Sequence, residues 1–481
     1  MKLPNASIKR VLETFKDLKL GDPRRHRRLQ KMLSKLAKRP GASFPDAMAS
    51  DAELDGSYLF ANNKAIDPQR MLDSGAAATV ERANVANSVL VIHDTTSASF
   101  PHADPREVGY LSTRKAGFYI HYALVLDGGA WRRPLGVVHL ETIARKKPSK
   151  RGRKNKASGK ETARWKDRES ARWGRGVDAS AAALSQCKEV IHVADREGDS
   201  YAFLASMVAQ NRSFVVRVNH NRKVGDPDDL DKQWTPLKEQ VRCLEGTLER
   251  DVELSERKPS QAPRDTKAHP VRKARVARLQ FAATTVVLTR PRYLAEPIAK
   301  TLTLNVVHVS EPNPPPGEPP VEWLLFTTLP IESNKQIAAV VDIYRARWTI
   351  EEMNKALKTG CAYESREFRS LHALRMVLAM TLPIATELLW LRSRARSQVP
   401  VPASDVLTPQ QVKLLRQIAA RPVPAKATAR EALYALAGLG GHARRNGEPG
   451  WIVLHRGMQK LLAYEEAYEA GYKAARRSRT G

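Results

Sequence analysis

The sequence predicts an α/β protein: a mixed sheet with covering helices, extended by a β-rich insertion and flanked on both sides by helical regions. Three observations carry this. Short β-branched or aromatic runs alternate with helix-forming stretches from "SVLVIHD", ending at Asp94, to "SYAFLASMVAQ", starting at Ser200. Strand signals then dominate from Phe214 to about Thr327, and beyond Arg366 the pattern turns helical. The chain has 481 residues, more than one ordinary core accommodates, and its 42% hydrophobic content suits packed interiors. With 80 Lys+Arg against 51 Asp+Glu it carries a formal charge of +29. That excess points to a polyanionic partner, nucleic acid first, with a solvated basic surface or an anionic membrane surface as alternatives. Cys187, Cys243 and Cys361 are widely separated and form no CxxC, so neither a disulfide framework nor a cysteine zinc site is indicated.

Residues 7 to 38 read as helices broken at "KLGDPRR". Asp22 is placed to cap the following helix and Pro23 suits its first turn, where no intrahelical donor is needed. At about 100° per residue, Arg24, Arg28, Lys31, Lys35 and Lys38 form a cationic stripe of roughly 80°, opposite Leu29, Met32, Leu33 and Leu36. No acid of that helix interrupts the stripe, which favours contact with a DNA backbone over a solvated face. Next come the strand signals "SVLVIHD", "FYIHYALVL" and "PLGVVHLET", then a basic tract from Arg145 to Lys156 that reads as a loop. "VDASAAALSQC" reads as a helix, "EVIHVAD" as a strand ending at Asp195, and "SYAFLASMVAQ" as another helix. Three strands, a helix, a strand and a helix is the ribonuclease H-like order. The insertion follows at about 220–330, with a Pro-rich "EPNPPPGEPP" that reads as a rigid surface loop. "MVLAMTLPIATELLWL", from Met376, is shorter than a membrane crossing and contains Pro383 and Glu387, so it reads as a buried helix. The N-terminal "MKLPNASIKR" lacks the apolar core of a signal peptide, and a soluble protein of a reducing compartment is expected.

Asp94 and Asp195 each end an apolar strand, where a side chain reaches a cleft while the sheet fixes its backbone. Aspartates also end strands as ordinary turn formers. In "YRARWTIEEMNKALKTG" a helix starting near Asp342 would set Tyr344, Arg347, Glu351 and Lys358 within roughly 60° of one another, while Glu352 points about 100° away. Glu351 is thereby singled out over Glu352, although an ordinary Arg347–Glu351 ion pair explains the same spacing. In "DREGDS", Glu197 and Asp199 read as helix-capping residues, and His93 as packing or a hydrogen bond. The absence of a G-x-x-x-x-G-K-[ST] loop gives no indication of ATP use.

"HDTTS" at Asp94, "ADREGDSYAFL" at Asp195 and "YRARWTIEEMNKALKTG" resemble the three catalytic blocks of bacterial cut-and-paste DDE transposases of the insertion-sequence-four family. The last block carries that family's tyrosine, arginine, glutamate and lysine signature. The likeness continues through "LGDPRRHRRLQKMLSKLAK", "RESARW", "SFVVRVNHNRK", "NPPPGEPPVEWLLFTTLPI", "LTPQQVKLL" and "LGGHARRNGEPGW". It implies that Asp94, Asp195 and Glu351 bind metal and that Tyr344, Arg347 and Lys358 contact DNA phosphates, with Lys355 a further basic contact. It implies that Arg217 is a basic active-site residue near the transposon end, and that Trp323 stacks on a base flipped out during hairpin formation. Arg25 and Arg28 match residues that recognise the terminal repeats. Two features depart from the family: the basic tract replaces a more acidic segment, and Asn354 stands where a histidine is expected.

The resemblance implies an N-terminal helical DNA-binding domain over 1–70, a ribonuclease H-like catalytic domain over 71–375 with its β-rich insertion, and a C-terminal helical dimerisation domain over 376–481. Three carboxylates suit Mg²⁺, or Mn²⁺ as substitute, as two ions about 3.5–4 Å apart. The expected function is cut-and-paste transposition: 3′ nicking at terminal inverted repeats, a hairpin intermediate, and joining of the 3′ ends to target DNA by a homodimer on paired ends. The expected setting is the bacterial cytoplasm and nucleoid, without a membrane. A ribonuclease H-fold nuclease without strand transfer and a non-catalytic DNA-binding derivative are the alternatives. Glu352→Gln is expected to retain most activity.

Overall fold

A computed structural model describes residues 3–129, 131–147, 169–229, 234–254, 256–257, 271–294, 297–397 and 399–478. The first run of strand signals becomes β1 (Ser88–Ser99), β2 (Gly117–Asp127) and β3 (Pro134–Ile143), an antiparallel set with β1 innermost. Helix α5 (Arg172–Ala183) returns the chain so that β4 (Glu189–Ala194) lies parallel to β1. Helix α6 (Tyr201–Ala209) then delivers β5 (Ser213–Arg217) parallel to β4. The order β3-β2-β1-β4-β5 is the ribonuclease H-like arrangement read from the sequence.

The β-rich segment is made of strands as expected, but it extends the same sheet. Strand β11 (Glu322–Thr327) pairs antiparallel with β5 through Leu325↔Arg217 and Thr327↔Val215, so the edge of β5 is covered. Beyond it come β10 (Thr301–Ser310), β9 (Arg275–Thr289), β6 (Lys223–Gly225) and β7 (Thr235–Pro236), with β8 (Leu248–Leu254) also on β9.

Side chains alternate along a strand, and the core divides accordingly. Leu90 and Ile92 of β1, Ile191 and Val193 of β4, Val215 of β5, Leu325 of β11 and Tyr122 of β2 belong to one apolar cluster. Val216, Phe214 and Phe326 belong to a second, packed under α5 and α6. The first face is covered by α7 (Asn334–Arg345), α8 (Trp348–Lys355) and α9 (Leu371–Ala395). Helices α1 (Asn5–Glu13), α2 (Pro23–Lys38), α3 (Asp51–Asn62) and α4 (Pro68–Ala83) join this side, and α4 lies along β3. Helix α9 is long and apolar enough to cross a membrane, yet 78% of its apolar window is buried inside the protein. Its Glu387 accepts from Arg10 at 2.9 and 2.6 Å, which compensates the carboxylate. Helices α10 (Pro409–Ile418), α11 (Ala429–Leu439) and α12 (Trp451–Ser478) complete the C-terminal region.

The helix expected to start near Asp342 is two helices. Ser333 opens α7 with a capping box closed by Gln336, and α7 ends at Arg345. A tight turn follows, in which Arg347 N–H reaches Tyr344 O and Ile350 N–H reaches Arg347 O, before α8 begins at Trp348. The chain then widens into a π-helical turn, Ala356–Gly360. A Cβ on Gly360 would press on Leu388 at 3.2 Å and Trp451 at 3.3 Å, so glycine is what lets this turn seat against the C-terminal helices.

Candidate active site

The alternation that divides the core also aims the site. Asp94 continues the parity of Leu90 and Ile92, Asp195 that of Ile191 and Val193, and Arg217 that of Val215. In the parallel register Ile92 lies beside Val193 and His93 beside Ala194, so Asp94 and Asp195 follow on adjacent strands on one face. Asp195 stands just past the end of β4, but Asp94, expected to end its strand, lies inside β1, which β2 pairs through Asp94↔Tyr122 as far as Ser99. Trp323 shares the parity of Leu325 and packs on the same cluster. Helix α8 buries Ile350 and Met353 against that face, and Glu351 lies near enough to Asp94 for its charge to act on it.

Electrostatics register the convergence. Burial pushes the Asp94 carboxyl up to about 7, and the charges of Glu351 and Asp195 push the same way, with Arg347 opposing them. Arg347 donates to Glu351 Oε1 at 3.2 Å, so the ion pair allowed by the spacing is present. Burial works against the Arg347 charge, but Tyr344, Asp94, Glu351 and Asp195 outweigh it. Tyr344 is buried and meets Trp323 edge to face at 5.7 Å. The Arg217 guanidinium lies 5.7 Å from the Trp323 ring, with its pKa lowered by burial and partly restored by Tyr344. Thus Asp94, Asp195, Glu351, Arg347, Tyr344, Arg217 and Trp323 form one neighbourhood.

Other candidates stand apart from it. Lys358, carried on the π turn, lies 3.9 Å from Glu364, and Lys355 pairs with Glu352 at 3.0 Å. Arg25 donates to Leu20 O at 2.9 Å, and the Arg28 guanidinium lies over Gly56 of α3. Asp22 caps α2, accepting from Arg24 N–H at 2.7 Å, and Leu29, Met32, Leu33 and Leu36 are buried as predicted. The stripe is not free of acid, however: Glu53 of α3 reaches across to Lys31 at 2.6 Å and also holds Lys35. Those two lysines hold the Glu53 carboxyl down at about 2. Most of the basic tract, from residue 148, lies outside the described residues; Arg145 pairs with Glu169 at 2.5 Å.

Residues without an assigned role in the sequence reading prove central. Tyr122 donates to Asn354 Oδ1 at 2.8 Å, and Asn354 Nδ2 faces Asp94 Oδ2 at 3.4 Å. The helical spacing that singled out Glu351 also carries Asn354, three residues on, but its strand partner was not visible in the spacing. Asp199, read as a capping residue, instead accepts from the backbone N–H groups of Asn219 and His220 at 2.6 and 2.9 Å and from Arg222. It clamps the segment after β5 that begins beyond Arg217. Capping in "DREGDS" falls to Asp195, which accepts from Glu197 N–H, and to Ser200, which accepts from Phe203 N–H. His93 points to the opposite face and meets His192 at 3.0 Å, as a hydrogen-bonded packing residue.

Among the described residues no three His, Cys, Asp or Glu side chains stand gathered to hold a metal ion. The donor chemistry fits a hard divalent cation all the same: a carboxylate raised first by burial and then by the charges of Glu351 and Asp195 is what such an ion relieves.

Two family models match the chain: transposase DNA-binding over residues 11–66, and transposase DDE domain over residues 175–384. The second spans Asp195 and Glu351 and begins after Asp94. Together they support a DNA transposase of the DDE family, with DNA as its partner.

Proposed function

We propose that this chain, a DDE-family transposase by both matches, is a cut-and-paste enzyme of the insertion-sequence-four type, similar to the transposase of transposon five. What supports the reading is that Glu351 and Asp195 both act on the Asp94 carboxyl, which burial raises most, beside the buried Arg347.

Arg347 and Arg217 present guanidinium groups suited to phosphate, and the Tyr344 hydroxyl is a further donor. They would hold the scissile strand against the acids. Trp323, partly buried on Tyr344, offers a platform for an extruded base. Asp94, Asp195 and Glu351 would hold Mg²⁺ or Mn²⁺, two ions by our proposal, which would supply activation of an attacking hydroxyl and stabilisation of the leaving oxygen. In the sequence we infer, water cleaves the 3′ end and the freed 3′-OH attacks the opposite strand to give a hairpin. Water reopens that hairpin, and the 3′-OH joins target DNA. Lys355 and Lys358 would contact DNA once released from Glu352 and Glu364, and Arg25 and Arg28 would read the terminal repeats. We assign residues 1–70 to end binding, 71–375 to catalysis and 376–481 to dimerisation on paired ends, in a bacterial cytoplasm.

The test is cleavage and joining of DNA carrying the inverted repeats that flank the gene, with Mg²⁺. Asp94→Asn and Glu351→Gln should abolish both products. Undiminished cleavage by either variant sinks the assignment, and cleavage without joined product would favour a nuclease instead.

A further inference from the structure

Asp94 is the most buried of the three candidate carboxylates, at 9% exposure, and it is not left to find its own orientation. Its Oδ2 faces the Asn354 amide nitrogen at 3.4 Å. An amide has no preferred way round by itself, since its oxygen and nitrogen ends are nearly the same shape. Here the choice is made by Tyr122, 1% exposed, whose hydroxyl donates to Asn354 Oδ1 at 2.8 Å and lies 3.3 Å from Ile350 O. The phenol has one proton; given to Asn354 Oδ1, the nearer of its two acceptors, it leaves the nitrogen end to point at Asp94. The three groups link β2, α8 and β1, the three elements whose relative placement decides whether Asp94 and Glu351 meet.

We propose that Asn354, held by Tyr122, is a positioning residue that presents the Asp94 carboxylate to a divalent cation. The inference rests on the metal-binding reading of Asp94, Asp195 and Glu351. It extends that reading by naming what orients the first ligand. Groups that hydrogen-bond metal ligands typically change metal affinity by about 10- to 100-fold when removed. Asparagine suits the position because its amide remains a neutral donor whether or not the site is charged, so its bond to Asp94 does not depend on a titration of its own.

The experiment is Mn²⁺ titration, followed calorimetrically, of the full-length protein bound to a duplex carrying its flanking inverted repeat. Wild type, Asp94→Asn, Asn354→Leu and Tyr122→Phe are compared, with duplex affinity and metal-free melting temperature measured alongside. Asn354→Leu removes both bonds at similar volume and should weaken Mn²⁺ binding about 10- to 100-fold while leaving duplex affinity unchanged. Tyr122→Phe removes one hydroxyl and frees the amide to turn over; it should weaken Mn²⁺ about 5-fold and keeps the test alive should the leucine variant fold poorly. Mn²⁺ affinity within twofold of wild type in Tyr122→Phe and in a folded Asn354→Leu overturns the positioning role if Asp94→Asn still abolishes binding. If wild type and Asp94→Asn bind Mn²⁺ alike, or neither binds it, the metal reading falls and this inference with it.

Discussion

Glu351 shares one cation, Arg347 at 3.2 Å, with the nearby Asp94 and Asp195, whereas Glu352, the next residue of α8, has several partners of the opposite kind to itself. Glu352 accepts from the Trp451 indole N–H at 2.9 Å and from Lys355 at 3.0 Å, and it pairs with the buried Arg392 of α9. Arg392 also lies 4.8 Å over the Trp451 ring and donates to Pro449 O at 3.0 Å. On one side of the helix three carboxylates share Arg347; on the other a single carboxylate is met by several donors. The contrast teaches how a destabilising cluster is tolerated: the helix that brings Glu351 to Asp94 is fastened from behind, where its charge is compensated. Spacing alone made Glu352 dispensable, because its partners come from two other helices.

The largest effect that bears on this contrast is catalytic. If Glu351 and Asp94 hold the cation as proposed, each substitution removes a charge that its binding needs, and Glu351→Gln and Asp94→Asn should lower Mg²⁺-dependent cleavage at least about 1,000-fold. Glu352→Gln, by contrast, should keep cleavage measurable once folded. If the two glutamine variants are equally inactive in protein of wild-type melting temperature, the two faces are not functionally distinct.

Second comes stability without metal. A carboxyl raised to about 7 from the ordinary 3.8 favours the folded state only while it holds its proton. Its contribution is complete below about pH 4 and is lost as pH rises through 7. In EDTA, wild-type stability should therefore fall over that window, while Asp94→Asn should flatten the curve. At pH 8 the variant should be more stable by up to roughly 4 kcal/mol. Denaturant unfolding of both proteins at pH 5 and pH 8 checks this, and parallel pH curves would mean that neither burial nor the neighbouring acids raise Asp94.

How far the sequence foretold these faces depended on the range of the interactions. Strand positions, the buried stripe of α2 and the exit of Asp195 from β4 were legible, because period and local capping are written in neighbouring residues, whereas Asp94 lies inside β1, which β2 pairs as far as Ser99. The tight turn at Arg347 was not legible, and neither was the π turn at Gly360, which seats against the distant Leu388 and Trp451. Glu53 escaped notice as a neutraliser of the α2 stripe for the same reason, since it arrives from α3. The pairing of β5 with β11, which makes the insertion part of the core sheet, joins residues more than 100 apart.

The rear face gives the third effect. Arg392→Met leaves Glu352 without its buried cation, and removing one member of a buried pair costs roughly 3–5 kcal/mol. Glu352 is a quarter exposed, so water softens the loss to about 2 kcal/mol. The melting temperature should fall, and added metal should not restore it, since the damage lies on the side away from Asp94. Full recovery with Mn²⁺ would instead place Arg392 within the functions of the Glu351 face.

The smallest effect separates anchoring by charge from anchoring by shape. Trp451→Phe keeps an aromatic face under Arg392 and most of the contact with Gly360, and it removes one N–H bond to a carboxylate. Such a bond is worth about 1.5–3 kcal/mol when fully buried, and less here because Arg392 and Lys355 still hold Glu352, so a loss of about 1 kcal/mol is expected. A double variant with Arg392→Met resolves how the two act. If the pair share the task of fixing Glu352, the losses will exceed their sum, because the second deletion leaves only Lys355. Strict additivity would mean that Trp451 serves Gly360 and the π turn, and Arg392 alone serves the glutamate.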